Sequence, residues 1–286
     1  MTRIGVWPNL DKQPAAVLTR QLYHWLGERG ITAVMLPEAA RAIETPERGF
    51  DPSHPAWGEV DFVVVLGGDG TLLHAARRLS GHNRPLMGVN LGHLGFLTEV
   101  EVPDLYPALT AFLAGHYVID ARTTLNARVM RGDETVHAVL ALNDVVITKG
   151  PFARLVSLET FVDNAYVTTY PADGLILSTP TGSTAYSLSA GGPVASPSLD
   201  VIILTPICPH SFFDRSIILG GGARVRVRIR AEHRETLLTV DGQEGFPLED
   251  GDEIHVEANS ERVGLMRRPE WNFYHVLRAW RRGREV

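Results

Sequence analysis

The stretch FVVVLGGDGTLLHAARRL, Phe62 to Leu79, constrains the fold more than any other part of this chain. Phe62 to Leu66 is an unbroken apolar run, the pattern of a strand buried on both faces of a parallel sheet. Leu72, Leu73, Ala76 and Leu79 then recur at helical spacing. Between them, Gly67-Gly68-Asp69-Gly70-Thr71 makes a β-to-α turn. Glycines there let backbone N–H groups come close to an anion, and the following helix adds the positive end of its dipole. Phosphate is the natural guest. The alternative is a tight turn without a ligand, in which Asp69 only caps the helix. The turn is neither the Rossmann G-x-G-x-x-G nor a Walker loop, because no lysine follows Gly70. A carboxylate beside phosphates is repelled unless it faces Mg²⁺ or an incoming hydroxyl, and both exceptions describe phosphoryl transfer.

The surrounding pattern predicts two domains. Up to about residue 115, β-rich runs alternate with helical ones, the signature of a doubly wound, Rossmann-like α/β sheet. Arg3 to Trp7, Ile31 to Leu36, Phe62 to Leu66 and Pro85 to Asn90 are its expected strands. Val17, Leu18, Leu22, Trp25 and Leu26 mark one helix, which Gly30 ends, and Pro103 to Gly115 marks another. Residues 38 to 58, rich in Pro, Glu, Arg and Gly, are expected to form a mobile surface loop. From about residue 117 apolar and polar residues alternate in short runs, such as Asn126 to Met130, Val145 to Thr148 and Leu155 to Val162, which predicts antiparallel β. The expected division is therefore 1–117 as the α/β domain, 118–262 as a β-rich sandwich, and 263–286 as a C-terminal segment. Trp271, Tyr274, Leu277 and Trp280 lie about one helical turn apart there and are expected to dock.

Charge and composition exclude several classes. A formal charge of −6 and a pI near 6.0 argue against nucleic-acid binding by broad electrostatic attraction. Arg224, Arg226, Arg228 and Arg230 alternate with Val225, Val227 and Ile229, which fits a half-buried strand with a wet face better than a phosphate patch. The single cysteine, Cys208, cannot form an internal disulfide, and its apolar surroundings predict a buried structural thiol. The N-terminus does not read as a signal peptide, and the uncharged stretch 174 to 199 is too polar for a membrane span. A soluble, cytoplasmic protein is expected, with neither nucleic acid nor membrane as partner. No pair of His, Asp or Glu has the spacing of a zinc site, so no protein-built metal site is expected. Ser183 and Ser189 lack a local histidine for an acyl-transfer triad.

A second informative run is YPADGLILSTPTGSTAYSLSAGGPVASP, residues 170 to 197. Its small polar residues and glycines suit a ligand with hydroxyls and a ring. Tyr186 can stack on a base, Asp173 can accept from an amine or hydroxyl, and Thr181, Ser183 and Thr184 can donate to ribose or phosphate oxygens. A flexible linker explains the interleaved apolar residues poorly.

Together these stretches resemble the NAD kinases. The family pattern of Gly-Gly-Asp-Gly, an Asn-acid pair and a long Asp-Gly to Ser-Thr-Pro-Thr-Gly-Ser-Thr-Ala-Tyr run is matched by Gly67 to Thr71, Asn143-Asp144 and Asp173 to Tyr186. NLGHLGFLTEV at Asn90 to Val100, CPHSFFDRSIIL at Cys208 to Leu219 and VDGQ at Val240 to Gln243 also match. The resemblance implies an α/β domain joined to a β-sandwich, with a C-terminal segment that returns to the first domain. It implies transfer of the ATP γ-phosphate to the 2′-hydroxyl of the adenosine ribose of NAD, giving NADP, with Mg²⁺ carried through phosphates. It makes Asp69 the base for that hydroxyl or the organiser of Mg²⁺. Gly68 and Gly70 would leave room for nucleotide, with His74 nearby on the helix, although a partly exposed helix histidine is the commoner case. Asn143 and Asp144 would hold ribose hydroxyls, Asp144 standing where the family commonly has Glu. Thr181, Thr184, Ala185, Tyr186 and Ser189 would line the adenine and ribose pocket, with Asp173 at a base and Gln243 also at the nucleotide. His93 is balanced between facing the site and not, and Phe212 and Phe213 look like core. The family's habit is a homodimer or homotetramer. A lipid kinase would need an apolar gorge that 170 to 197 does not offer. A dinucleotide-binding module would have no use for Asp69, and a dehydrogenase would need G-x-G-x-x-G.

Overall fold

The apolar run at Phe62 becomes a fully buried central strand, and the first unit is built around it. The computed structural model describes residues 2–92, 95–150, 156–210, 214–230 and 236–282. Its chain divides into two units, Met1–Ala121 with Val263–Val286, and Arg122–Arg262. His93, Phe212, Phe213, Leu155 and the last four residues lie outside the described residues.

The first unit runs β1 (Arg3–Pro8), α1 (Gln13–Gly27), β2 (Thr32–Met35), α2 (Pro37–Ala42), β3 (Phe62–Gly67), α3 (Asp69–Arg78), β4 (Leu86–Asn90), β5 (Val100–Glu101), α4 (Leu105–Leu113) and β6 (Val118–Arg122). The second runs β7 (Leu125–Arg131), β8 (Glu134–Ala141), β9 (Asp144–Lys149), β10 (Val156–Val162), β11 (Ala165–Ala172), β12 (Gly174–Ser178), α5 (Tyr186–Ser189), β13 (Val201–Ile207), β14 (Ile217–Gly220), β15 (Arg224–Arg230), β16 (Thr236–Val240), β17 (Glu244–Leu248) and β18 (Glu253–Ala258). β19 (Val263–Arg267) and α6 (Phe273–Arg281) complete the first unit.

In the first unit the sheet order is β2-β1-β3-β4-β19-β6, with β5 beside β4, and β2, β1, β3 and β4 run parallel. β19 joins parallel to β4 through Leu265 and Leu86, so the C-terminal segment becomes part of this sheet. The second unit is two six-stranded antiparallel sheets, β11-β10-β15-β18-β7-β8 and β14-β13-β12-β9-β16-β17. Side chains from both sheets, among them Leu158, Val227, Ile254, Ile147, Leu175 and Leu204, form one continuous core, as in a β-sandwich. The α/β unit and the β-sandwich expected from the sequence are both present.

β15 alternates as its sequence does. Val225, Val227 and Ile229 are buried, while Arg226, Arg228 and Arg230 pair with Glu253 and Glu159 on the wet face. Three expectations are corrected. Residues 38 to 58 are not all surface loop: α2 buries Ala39 and Ala40, and Trp57 is fully buried against Trp7, with ring centroids 5.6 Å apart. The six-residue helix is too short to show periodicity in the sequence. Cys208 is exposed, because the chain leaves β13 there in a left-handed turn at φ 45°. In the C-terminal segment the expected docking is met by Trp271, under the Arg267 guanidinium, and by Trp280, 6.3 Å from Phe96, but Phe273 is the buried aromatic and Tyr274 is 62% exposed.

Trp57→Ala removes a large core side chain and is expected to destabilise the first unit by about 3–5 kcal/mol in urea unfolding. A change below about 1 kcal/mol would return this segment to the surface loop that its composition suggested.

Candidate active site

β3 hands over to α3 at Gly67 and Gly68, and sterics explain the first of these glycines. A Cβ on Gly67 would collide with the Thr71 side chain. The Thr71 hydroxyl accepts from Gly68 N–H at 3.4 Å and from Asn9 Nδ2 at 3.3 Å. Gly68 has extended backbone, φ −125° and ψ −169°, so it serves close approach rather than a left-handed turn. The Nζ of Lys12 lies 3.8 Å from where a Gly68 Cβ would stand and 3.4 Å from the same point on Gly92. An ammonium thus stands over the turn, the cation that no residue after Gly70 supplies. Its sequence position, at the start of α1, carries no motif that would have found it. Gly70 is exposed in the first turn of α3.

Asp69 does not cap its own helix. It is the first residue of α3, and its carboxylate turns to the segment after β4. Oδ2 accepts from Phe96 N–H at 2.8 Å. Oδ1 accepts from Leu97 N–H at 3.1 Å, Thr98 N–H at 3.0 Å and the Thr98 hydroxyl at 3.1 Å. A Cβ on Gly95 would overlap this carboxylate, so the glycine is needed for the approach. Buried Asn90 donates to the Thr98 hydroxyl at 3.2 Å and accepts from Gly92 N–H at 2.8 Å. The NLGHLGFLTEV motif is therefore the cradle of Asp69, a role that sequence spacing alone did not reveal. His74 faces Trp7 edge-on at 5.6 Å. Desolvation first, then the Arg77 and Arg78 charges, lower its pKa.

In the second unit, the ends of β12 and β16 and the start of β9 converge. Asp241, in the β16–β17 turn, accepts from the N–H groups of Leu142, Asn143 and Asp144 at 3.2, 2.7 and 3.2 Å. Its own N–H donates to the Asp144 carbonyl at 3.0 Å. Thr179 N–H donates to the Asn143 carbonyl at 2.9 Å, and Gly182 presses so closely on that carbonyl that a Cβ would overlap it. Asn143, Asp144 and the Thr179–Gly182 turn are thus locked together, with exposed Gln243 just beyond Asp241. Thr181 accepts from buried Arg122 at 3.3 Å. Thr184 donates to the Thr181 carbonyl at 3.2 Å, and Ser183 is consumed internally between Pro180 and Ala195. Ala185, half-buried, precedes α5. Tyr186, 44% exposed, and Ser189 present themselves on α5. Asp173 is separate. It lies 3.4 Å from Lys149 at the opposite end of β12, about 16 Å from the Asp144 end at ~3.3 Å per residue.

Asp241 and Arg122 were not singled out as site residues. A DG turn reads only as a hairpin, and nothing local tells that its carboxylate folds back on β9. Asp144 is 3% exposed, and burial, aided by the Asp241 charge, pushes its carboxyl up to about 7. Among the described residues no group of three or more His, Cys, Asp or Glu side chains could hold a metal ion. No described helix is long and apolar enough to cross a membrane.

A glycine turn at the C-terminal edge of a parallel sheet, with an anchored acid and a cation above it, defines a phosphate-handling kinase rather than a dehydrogenase. Residues 4–117 match the ATP-NAD kinase N-terminal domain and residues 142–267 the ATP-NAD kinase C-terminal domain. The NAD kinase of Moorella thermoacetica is 46% identical over 97% of this chain and 88% of its own, and that of Natranaerobius thermophilus 42% over 97% and 96%. Yeast NADH kinase, solved in complex with NADH, superposes with a TM-score of 0.89 at 26% identity, covering 99% of this chain and 88% of that one. An Archaeoglobus fulgidus NAD kinase in complex with ATP shares the fold, with a TM-score of 0.77 at 23% identity over 98% and 99%. The chain belongs to the ATP-NAD kinase family, phosphotransferases that make NADP from NAD and ATP.

The raised carboxyl of Asp144 fixes the sign of a pH effect. Native Asp144 holds its proton up to about pH 7, whereas the unfolded chain releases it near 3.8. The group's contribution to stability is therefore complete below the lower value and lost as pH rises through the upper one. Asp144→Asn should gain on the wild type between pH 5 and pH 7.5 by roughly 1–3 kcal/mol in urea unfolding. A difference that stays constant over that range would contradict the assignment.

Proposed function

We propose that Asp69 is the general base that takes the proton of the NAD 2′-hydroxyl as that oxygen attacks the γ-phosphorus of ATP and the bond from that phosphorus to the β–γ bridging oxygen breaks, releasing ADP. The observation that carries this is the asymmetry of its hydrogen bonds. Among the described residues Oδ1 accepts three donors and Oδ2 one, which leaves Oδ2 the greater capacity for a hydroxyl proton. A carboxylate fixed by four donors is also preorganised, and a positioned base contributes roughly 10²- to 10⁴-fold. Gly68 and Gly70 place no side chain of their own between the turn and a phosphate, and Lys12 brings a positive charge to the donor phosphates.

In the second unit, Asn143 and Asp144 hold ribose hydroxyls. Near neutral pH the Asp144 carboxyl exists in both forms, so it can donate to or accept from a hydroxyl. Tyr186 stacks on a base, Thr181, Thr184, Ala185 and Ser189 line the pocket, and Gln243 borders it from the hairpin turn. His74 flanks the phosphate turn. Asp173 serves the far end of the ligand, because a dinucleotide is long and carries a base at each end.

Among the described residues Asp69 is the one carboxylate at the turn, and a divalent cation delivered on the donor phosphates fits that arrangement. When bound, Mg²⁺ neutralises phosphate charge. The same reading makes the assembly a homodimer or homotetramer and the compartment the cytoplasm, with no nucleic acid or membrane as partner. Gel filtration with light scattering checks the first of these.

Asp69→Asn is expected to lower turnover at least 10²-fold, followed as NADP with an NADP-specific dehydrogenase, while NAD still binds. Lys12→Ala is expected to raise the KM for ATP about tenfold and to leave that for NAD within about twofold. Wild-type turnover by Asp69→Asn would rule out the base, and an unchanged KM for ATP would remove Lys12 from the donor site.

A further inference from the structure

The segment that cradles Asp69 has a second face, and that face is held by one arginine. The Arg267 side chain, at the end of β19, is 1% exposed. Its NH1 donates to the Leu97 carbonyl at 2.9 Å and its NH2 to the Phe96 carbonyl at 3.2 Å. The N–H groups of those same two peptide units, Leu97 N–H and Thr98 N–H, are the ones that donate to Asp69 Oδ1. Two complete peptide groups thus bridge a buried guanidinium to the Asp69 carboxylate, each dipole with its positive end on the acid and its negative end on the arginine. Hydrogen bonds in series polarise one another, and those ending on charges are the stronger kind.

Arg267 is itself fixed on its other sides. Asp120 lies 3.4 Å from Nε and Glu99 3.9 Å from NH1, and the guanidinium rests on the Trp271 ring at 4.2 Å. Phe96, in the bridging turn, also meets Phe273 and Trp280 of α6 at 6.2 and 6.3 Å between ring centroids. The C-terminal segment therefore grips the turn at both its carbonyls and its side chain.

We infer that Arg267 is a positioning residue for Asp69, acting through the Phe96–Leu97 and Leu97–Thr98 peptide groups. This rests on the reading of Asp69 as the base. Lysine at 267 keeps the charge that Asp120 and Glu99 need, but a single ammonium cannot reproduce the planar fork that spans two carbonyls. The turn then loses one of its two anchors, and the Asp69 carboxylate loses its fixed aim. Misplacement of a catalytic group by about 1 Å costs up to roughly 10²-fold in rate. Arg267, 1% exposed, offers no surface of its own to substrate, so the loss is expected to fall on kcat and spare KM.

The test measures kcat, KM for NAD and for ATP, and thermal unfolding for Arg267→Lys, with Asp69→Asn alongside. The expected result is a cooperative unfolding transition, a kcat lowered about 10- to 100-fold, and both KM values within about threefold of wild type. Should Arg267→Lys not fold, Trp271→Leu frees one face of the guanidinium while keeping its charge and hydrogen bonds. It should lower kcat several-fold with unchanged KM. Wild-type kcat in a folded variant, or a rise in KM that accounts for the whole loss, overturns the inference. A fully active Arg267→Lys beside a dead Asp69→Asn sinks the role of Arg267 alone. A fully active Asp69→Asn sinks the base on which that role depends.

Discussion

Everything at the glycine turn depends on where one carboxylate finds its hydrogen-bond donors. An acid at the start of a helix would ordinarily turn back to its own backbone, and Asp69 does not. It reaches the amides of Phe96, Leu97 and Thr98, which lie just beyond the neighbouring parallel strand. That choice requires Gly95, because a Cβ there would occupy the carboxylate's place. It also explains why strand order matters. β3 and β4 are adjacent and parallel, so the loops at their C-terminal ends meet, and a sheet with another order would leave Asp69 in water.

The second unit solves a similar problem with the opposite device. Asp241 is brought by a hairpin turn of left-handed residues to three amides at the start of β9. The hairpin thus fixes the Asn143-Asp144 pair from one side while the Thr179–Gly182 turn fixes it from the other. The cost is visible in Asp144, whose carboxyl is buried near a second carboxylate and raised to about 7. A group that titrates near neutrality is a common mark of a binding or catalytic site.

Much of this was legible in the chain, and the reasons are physical. Phe62 to Leu66 announces a strand buried on both faces, and the glycines that follow announce a close β-to-α turn, because both patterns are local. The alternation of Arg224 to Arg230 told its own burial correctly. Segments whose burial depends on distant partners were not legible. Trp57 sits in a stretch of loop-like composition yet fills the space beside Trp7. Cys208 follows an apolar run but leaves the sheet in a left-handed turn. Lys12 and Arg267 in the first unit, and Asp241 in the second, each meet their own unit's candidate residues across long sequence separations, with no spacing to mark them. Motifs alone brought Asp173 together with Thr181 and Tyr186, whereas the strand between them holds Asp173 apart.

As a member of the ATP-NAD kinase family, this chain transfers the ATP γ-phosphate to the 2′-hydroxyl of the adenosine ribose of NAD. The most direct measurement incubates the protein with γ-labelled ATP, Mg²⁺ and either NAD or an NAD analogue that lacks that hydroxyl, and follows the label into the dinucleotide. Labelled NADP is expected from NAD and no labelled dinucleotide from the analogue. Label in the analogue, or none in NAD under conditions where both nucleotides bind, would contradict it.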